Sequence, residues 1–444
     1  MHRQNPYKDR TIDFRALADF YPPLKEHLDE GGSIKFTDHA AVCSLTQALL
    51  ARDFKLEVEL SAEHLCPRVP NRLNYICWIE DLLASDKFDD SCKADPKSVV
   101  GLDIGTGISC IYPLLGCRMH EDWRFVATDI SPEAIALANA NVKRNGLELR
   151  ICVTQTTLES QFFQNFAVPF DTTVFDFSMC NPPFYSSEND LAASNSNKAS
   201  AAKSFTRAVQ AEIITPGGEA AMVTRMICES LAVSHSHPET RRTWYTSMLG
   251  KLESLQEVVA RLHEKKIDNF VVAEFVQGEH TRRWAVAWRF DLRRPLPGLC
   301  RPPDVSVKVR ALLPLPCLTR IDTTKNTTDD LSLESILSKI TTAYGDNLHV
   351  HITENKDTGE YILGTSPLGD VWSRKFRRNN KRRKLESDEN RNLETSSGET
   401  PRDSAFAFRI FVEDARHIFV HWKYGAEYAV YESFTGMLRA LLNK

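Results

Sequence analysis

The 444-residue sequence holds 11 cysteines but no two in a C-x-x-C spacing. The histidine pairs His235-Ser236-His237 and His349-Val350-His351 have no cysteine beside them. A zinc site is therefore not expected, nor is any other metal. Cysteines scattered without spacing, behind a start that lacks a secretory signal pattern, point to reduced thiols in cytosol or nucleus. No apolar run approaches the ~20 residues of a membrane span, so no membrane partner is expected. An excess of positive charge is missing too. The 55 Lys and Arg face 59 Asp and Glu, a net charge of −4. Nucleic-acid contact must then come from local patches. The length allows two or three domains.

What is present begins with a buried-strand pattern. Ser98 to Ile108 is an apolar run that ends in D-x-G-x-G, with Asp103, Gly105 and Gly107. The glycines let backbone approach a ligand, and a helix is expected from Ser109 to Leu115. Arg124 to Asp129 reads as a second strand ending in an acid, the place where ribose hydroxyls are bound in dinucleotide-type sites. The third glycine of the pyrophosphate fingerprint is absent. That favours an adenosyl ligand without pyrophosphate, S-adenosylmethionine rather than NAD. Pro132 to Asn145 predicts a helix, with Ser131 as N-cap and Gly146 as stop. Leu149 to Val153 predicts a third strand, with Thr156 and Thr157 in a loop that would line an adenine. Val174 to Cys180 predicts a fourth.

That fourth strand delivers Asn181-Pro182-Pro183-Phe184, with Tyr185 behind it. An amide oxygen and a proline carbonyl can accept hydrogen bonds from an exocyclic NH₂, and an aromatic ring can stack on the flat ligand. Two prolines keep the acceptors aimed. Alone, the motif is equally a proline turn with an aromatic plug. Gly105, Asp129, Thr157 and Asn181 all fall at or just past strand ends, and this convergence favours a ligand site. Alternating strands and helices over 98–225 predict an open, mostly parallel sheet.

Residues 1–30 mix cations, including Lys8 and Arg10, with aromatics. Such an arm suits a nucleic-acid backbone, or simply packs on the domain. Residues 38–53 predict a helix capped by Asp38, 56–60 a short strand, and Ile76 to Leu83 a helix preceded by Arg68 and Arg72. Either arginine can meet a carboxylate or phosphate, or stand on the surface. The Ser/Asn-rich stretch 186–204 is expected as a loop beside the site, Phe205 to Ile214 as a helix, Ala220 to Thr224 as a fifth strand, and Leu252 to Lys265 as an amphipathic helix. Asn269 to Val276 and Arg283 to Phe290 predict an antiparallel pair, with Arg282 and Arg283 at its turn as substrate-contact candidates. Residues 293–303 read as a proline-rich linker. A smaller α+β domain follows over 304–444, with a strand at Val305 to Leu312, a helix at Leu331 to Tyr344 and a strand at His349 to Thr353. Further on come strands at Phe406 to Val412 and His417 to Trp422 and a helix at Glu427 to Leu442. A polar basic insertion at 373–403 is expected to be disordered and fits a nuclear import signal or an RNA contact.

The motifs D-I-G-T-G-x-S-C-I-Y-P-L-L-G, N-P-P-F, R-L-N-Y-I-x-W-I-E-D-L-L and W-Y-x-x-M-L-G-K together resemble the methyltransferase-like protein 16 family, in a fungal-type member. The resemblance covers residues 1 to about 292. It implies a Rossmann-like class I methyltransferase domain over 31–292 and methylation of adenosine N6 in structured RNA by S-adenosylmethionine. U6 small nuclear RNA or a similar stem-loop is the expected partner. The nucleus is the expected compartment, with the cytoplasm a second. By the same resemblance Arg72 meets the cofactor's carboxylate, Gly105 and Ser109 surround its methionine part, and Thr157 lines it. Asp129 stands where animal members carry a glutamate. Asn181 to Phe184 match the catalytic tetrad, with Tyr185 in place of a second phenylalanine. The start of the chain looks like the family's RNA-contacting arm, and 304–444 is a candidate RNA-binding counterpart. The rival expectations are a non-catalytic RNA binder and a protein glutamine N-methyltransferase.

Overall fold

Val99–Ile104 is apolar apart from Asp103 and buried from Val100 onward, with a parallel neighbour on each side. The rest of the larger unit is laid around it. The computed structural model describes residues 1–61, 63–87, 98–163, 170, 174–183, 187, 214–277, 281–323, 331–355, 359–376, 378, 405–414 and 416–443. These divide into two compact units, Met1–Asp291 with Asp304–Leu313, and Leu292–Pro303 with Pro314–Lys444.

In chain order the first unit runs α1 (Phe14–Phe20), α2 (His39–Phe54), α3 (Val69–Lys87), β1 (Val99–Ile104), α4 (Ile111–Met119), β2 (Trp123–Asp129), α5 (Pro132–Arg144) and β3 (Ile151–Gln155). There follow β4 (Phe177–Cys180), α6 (Gly218–Ser236), β5 (Trp244–Leu249), α7 (Leu252–Glu264), β6 (Phe270–Gln277) and β7 (Thr281–Trp288). The sheet order is β3-β2-β1-β4-β5-β7-β6. The first five strands are parallel, and β7 lies antiparallel between β5 and β6. Strand order reverses between β1 and β4, which opens a crevice at the carboxyl ends. As expected, Ser131 caps α5 by accepting from Ala134 N–H at 3.2 Å.

Several expectations need correction. Ala220 to Thr224 is not a strand but part of α6. Its buried residues Val223, Met226, Ile227, Ser230 and Val233 recur at helical spacing, which a five-residue window does not reveal. The fifth strand is Trp244–Leu249. Residues 56–60 alternate, with Leu56 and Val58 buried, but pair with no strand among the described residues. Their N–H groups at Glu57 and Glu59 donate to the side chains of Asn145, just past the end of α5, and Asn141 on α5, at 2.9 and 2.8 Å. Helix α3 starts at Val69, not Ile76, because Pro70 is tolerated in a first turn. Arg72 therefore stands on the helix itself. Val305 to Leu312 is no strand but a helical turn, Val307–Arg310. Val305 and Val309 are buried at i, i+4 spacing while Val307 is exposed.

The second unit is a five-stranded antiparallel sheet, β8 (Leu318–Asp322), β9 (His349–Asn355), β10 (Gly359–Ser366), β11 (Phe406–Asp414) and β12 (His417–Tyr424), in the order β8-β12-β11-β10-β9. Helices α8 (Leu333–Tyr344) and α9 (Tyr428–Leu442) share its core through Ile336, Ile340, Phe434 and Leu438. Residues 293–303, expected as a linker, sit within this unit. Arg294 is buried, with its guanidinium 3.8 Å from the ring centre of Trp422. Among the described residues no helix is long and apolar enough to cross a membrane. The helix expected at 205–214 and most of the stretches 186–204 and 373–403 lie outside the described residues.

Tight packing holds β1 in place. The rings of Phe125 and Phe177 meet edge-to-face at 5.7 Å, opposite a glycine. A Cβ on Gly101 would stand 2.4 Å from Phe177 Cζ and 2.9 Å from Phe125 Cε1. Gly101→Ala is therefore expected to lower stability by about 1–3 kcal/mol, read from urea unfolding. An unchanged midpoint would contradict this packing account.

Candidate active site

Strand register builds the site. Ile104 on β1 is level with Cys180 on β4 and with Thr128 on β2, while Asp129 on β2 is level with Gln155 on β3. Asn181, Gly105, Asp129 and the Gln155–Thr156 step thus form one row at the carboxyl ends of four parallel strands.

The turn after β1 is locked to the end of β2. Gly105 and Gly107 adopt φ of +74° and +66°, where a side chain is disfavoured. The N–H groups of Gly105 and Thr106 both donate to Thr128 O at 2.9 Å. Gly107 N–H donates to Asp129 Oδ2 at 2.9 Å, and Ser131 N–H to Asp129 Oδ1 at 3.0 Å. A carboxylate oxygen can accept more than one hydrogen bond, so Asp129 keeps capacity for hydroxyl donors. Among the described residues, no atom lies within 4 Å of where a Cβ on Gly105 or Gly107 would stand. Ser109 is buried in the same connection, ahead of α4.

Polar atoms that protein leaves poorly satisfied lie behind the row, in β1, its turn and α3. Among the described residues, Nε of Arg72 is buried without a hydrogen-bond partner, and the buried carboxylate of Asp103 has only the Thr106 hydroxyl close by. Burial pushes the Asp103 carboxyl up to about 7; the Thr106 hydroxyl opposes the rise, Asp129 adds to it and Arg72 opposes it. Arg72 is held from α3: its Nη1 donates to the Tyr112 hydroxyl at 2.9 Å and its guanidinium lies 5.3 Å from that ring's centre. Buried polar groups are nearly always paired, so this set marks a ligand position.

The remaining expected residues are placed as follows. Asn181 and Pro183 are half-buried and Pro182 is buried, whereas Phe184 and Tyr185 lie outside the described residues. Thr157 is exposed and bonds Ser160 Oγ through its N–H at 3.0 Å and its hydroxyl at 3.1 Å. Its neighbour Thr156 is nearer the row, with its N–H on Asp129 O at 2.9 Å. The arm packs down. Asn5 Nδ2 donates to Asn74 Oδ1 and to Pro70 O on α3, both at 2.8 Å, and Tyr7 donates to Asp53 at 2.6 Å. Lys8 is exposed, and Arg10 pairs with Asp53 at 3.4 Å. Arg282 and Arg283 are in β7 rather than at its turn, and Arg282 pairs with the buried carboxylate of Glu274 at 2.9 Å. Sequence reasoning missed Tyr75, Tyr112 and Thr246. Each sits in an apolar run, where a hydroxyl reads as core. One described cluster, Glu413, Asp414 and His417, has metal-ligand composition. It is engaged in ion pairs, Glu413 with Arg320 and Asp414 with His417.

A sheet of this order, with a glycine turn, an acid at the end of β2 and an N-P-P run after β4, defines a Rossmann-like class I methyltransferase. A family model described as RNA methyltransferase matches residues 1–291. The U6 small nuclear RNA (adenine-(43)-N(6))-methyltransferase of Schizosaccharomyces pombe is 34% identical over 424 residues, 94% of this chain and 97% of the relative. The RNA N(6)-adenosine-methyltransferase METTL16 of Homo sapiens is 37% identical over 305 residues, 67% of this chain and 52% of that protein. The crystal structure of the human METTL16 catalytic domain with a MAT2A 3′UTR hairpin superposes with a TM-score of 0.55 at 37% identity, over 65% of this chain and 95% of that one. Another, of the human N-terminal domain with S-adenosylhomocysteine, gives 0.52 at 35% identity over 65% and 98%. The chain belongs to this RNA methyltransferase family, that of METTL16.

The unsatisfied atoms fit the family's cofactor. S-adenosylmethionine carries an ammonium, a carboxylate and two ribose hydroxyls. Asp103 would neutralise the first, Arg72 the second, and Asp129 would accept from the hydroxyls. The sign of the pH effect follows. In the free protein Asp103 is largely protonated below about 7, and the ammonium group of a bound ligand favours its ionised form. Affinity for S-adenosylhomocysteine is therefore full above that value and is expected to weaken, up to about tenfold per unit, as pH falls through it. Calorimetry at about pH 7.5 and about pH 6 would read this, and Asp103→Asn should lose both affinity and slope. An equal slope in the variant would contradict the assignment.

Proposed function

We propose that the chain moves a methyl group from S-adenosylmethionine to N6 of an adenosine in structured RNA, with U6 small nuclear RNA as its first acceptor. One observation supports the reading: Ile104 and Cys180 are register partners, so Gly105 and Asn181 leave neighbouring strands one residue later, at the same end of the sheet. RNA is the partner class. The U6 acceptor named for the relatives supports a nuclear role, and we place the chain in the nucleus, with the cytoplasm as a second compartment. The near full-length match to the fission-yeast relative favours a fungal-type member.

When bound, S-adenosylmethionine supplies an electrophilic methyl on sulfonium sulfur. The target adenosine must leave its stack, which single-stranded or bulged RNA allows most readily. Asn181 Oδ1 and the Pro182 carbonyl accept the two N6 hydrogens, and this aims the nitrogen lone pair at the methyl. That lone pair forms the N–C bond as the C–S pair returns to sulfur. The acceptors steady the positive charge on nitrogen until its proton passes to water, so no dedicated base is required. Phe184 or Tyr185 stacks the base. Orientation supplies the rate, where well-aligned reactants gain about 7–11 kcal/mol, with dipoles aimed at developing charge. Lys8, Arg10, Arg282 and Arg283 are offered as backbone contacts. Of these, Arg10 and Arg282 would have to divide their guanidinium groups between a phosphate and the carboxylates of Asp53 and Glu274.

Methyl transfer from labelled cofactor to a U6 transcript, followed by nucleoside analysis, tests the reading. Label is expected in N6-methyladenosine, and Asn181→Ala should lower kcat by about two to three orders of magnitude. No transfer with tight RNA binding intact would favour the non-catalytic binder. Label that persists in the variant would remove Asn181 from the mechanism.

A further inference from the structure

β4 and β5 part company just before the site. Their ladder ends at Ser178↔Tyr245, although β5 continues to Leu249. Side chains bridge the parting. Cys180 N–H donates to the Tyr75 hydroxyl at 3.3 Å, the Tyr75 oxygen lies 2.6 Å from Thr246 Oγ1, and Thr246 Oγ1 donates to Ser178 O at 2.8 Å. A threonine hydroxyl has one proton, and Thr246 gives it to Ser178. Tyr75 must therefore donate to Thr246, which leaves its own oxygen to accept from Cys180. The chain of donors runs one way, from one backbone group of β4 back to another two residues earlier. It takes the place of ladder bonds where the two strands separate.

We infer that Tyr75, acting through Thr246, is a positioning residue for methyl transfer: this hydroxyl chain fixes the backbone of Cys180 and hence the aim of Asn181. Burial supports the assignment. Tyr75, Thr246 and Ser178 are fully buried, and burial raises the Tyr75 hydroxyl well above its ordinary range, so it stays protonated as the chain requires. The Tyr75 ring is itself held, edge-on to Tyr112 with centres 5.6 Å apart. Tyr112 in turn accepts from Arg72. One helix, α3, thus supplies both the cofactor arginine and the group that steadies the catalytic loop. Without the bridge, Cys180 N–H would lose its partner and the step into Asn181-Pro182 would be free to shift. Small misplacements of reacting groups cost rate far more than binding.

The inference rests on the reading that Asn181 presents the acceptor amine, and the test separates the two. Full-length Tyr75→Phe, Thr246→Val and Thr246→Ser are compared with wild type for unfolding midpoint, S-adenosylhomocysteine affinity, kcat and KM on a U6 transcript, and amide hydrogen exchange over residues 174–183. Tyr75→Phe and Thr246→Val are expected to lower kcat by about tenfold and speed exchange at Cys180, with KM and cofactor affinity within about twofold. Thr246→Ser, which keeps the hydroxyl, should restore most of the rate. Unchanged kcat and exchange would overturn the inference. So would a loss shared by Thr246→Ser, or one that follows cofactor affinity or midpoint. Wild-type protein that transfers no methyl to RNA would count against the proposed function alone, and the exchange readout would then decide the positioning role.

Discussion

The site hangs on the clamp between the end of β2 and the turn after β1. Thr128 O accepts two consecutive N–H groups and the Asp129 carboxylate accepts a third, from Gly107. Without those bonds a turn with two left-handed glycines has no reason to hold one shape. With them, the end of β1 presents open backbone, and Asp129 is locked at the start of α5 through Ser131. Reversal of strand order next to this clamp brings in β4, and with it Asn181. Fold and chemistry meet at one line of residues because parallel strands end at one level.

Stability is given up along that line. Among the described residues, a buried guanidinium nitrogen at Arg72 lacks a hydrogen-bond partner and a buried carboxyl at Asp103 has only the Thr106 hydroxyl close by. Each costs free energy in the ligand-free protein, on the order of 1–3 kcal/mol for an unmade hydrogen bond. The surroundings compensate by holding the elements firmly. The aromatic rings of Phe125 and Phe177 wedge against Gly101, and Asn5 ties the start of the chain to Asn74 on α3. Helix α3 emerges as a second organiser: Arg72, Asn74 and Tyr75 fall within a single turn of it, and they bond Tyr112, the Asn5 side chain of the arm and the Cys180 N–H of β4 in that order.

Much of this was legible in the amino acids. D-x-G-x-G after an apolar run, an acid ending the next strand and N-P-P after another can be read because backbone constraints demand those residue types. The helices α2, α5 and α7 were legible from caps and periodicity. What stayed hidden has physical reasons. Ala220 to Thr224 and Val305 to Leu312 are short apolar windows in which strand and helix spacing coincide. Residues 56–60 satisfy their backbone on asparagine side chains, which no local pattern announces. Tyr75 and Thr246 lie far apart in sequence, and only the splitting of β4 from β5 gives their hydroxyls a purpose. In the second unit, β8 and β10 carry too little alternation to stand out.

A crystal structure of the chain with S-adenosylhomocysteine would test the central claim most directly, that one row of strand-end residues holds both cofactor and acceptor motif. The account predicts ribose hydroxyls on the Asp129 carboxylate, the amino-acid end between Asp103 and Arg72, and the Asn181 amide on the side of sulfur from which the methyl departs. A ligand seated away from Asp129 and Arg72, or an Asn181 amide turned from the sulfur, would contradict it.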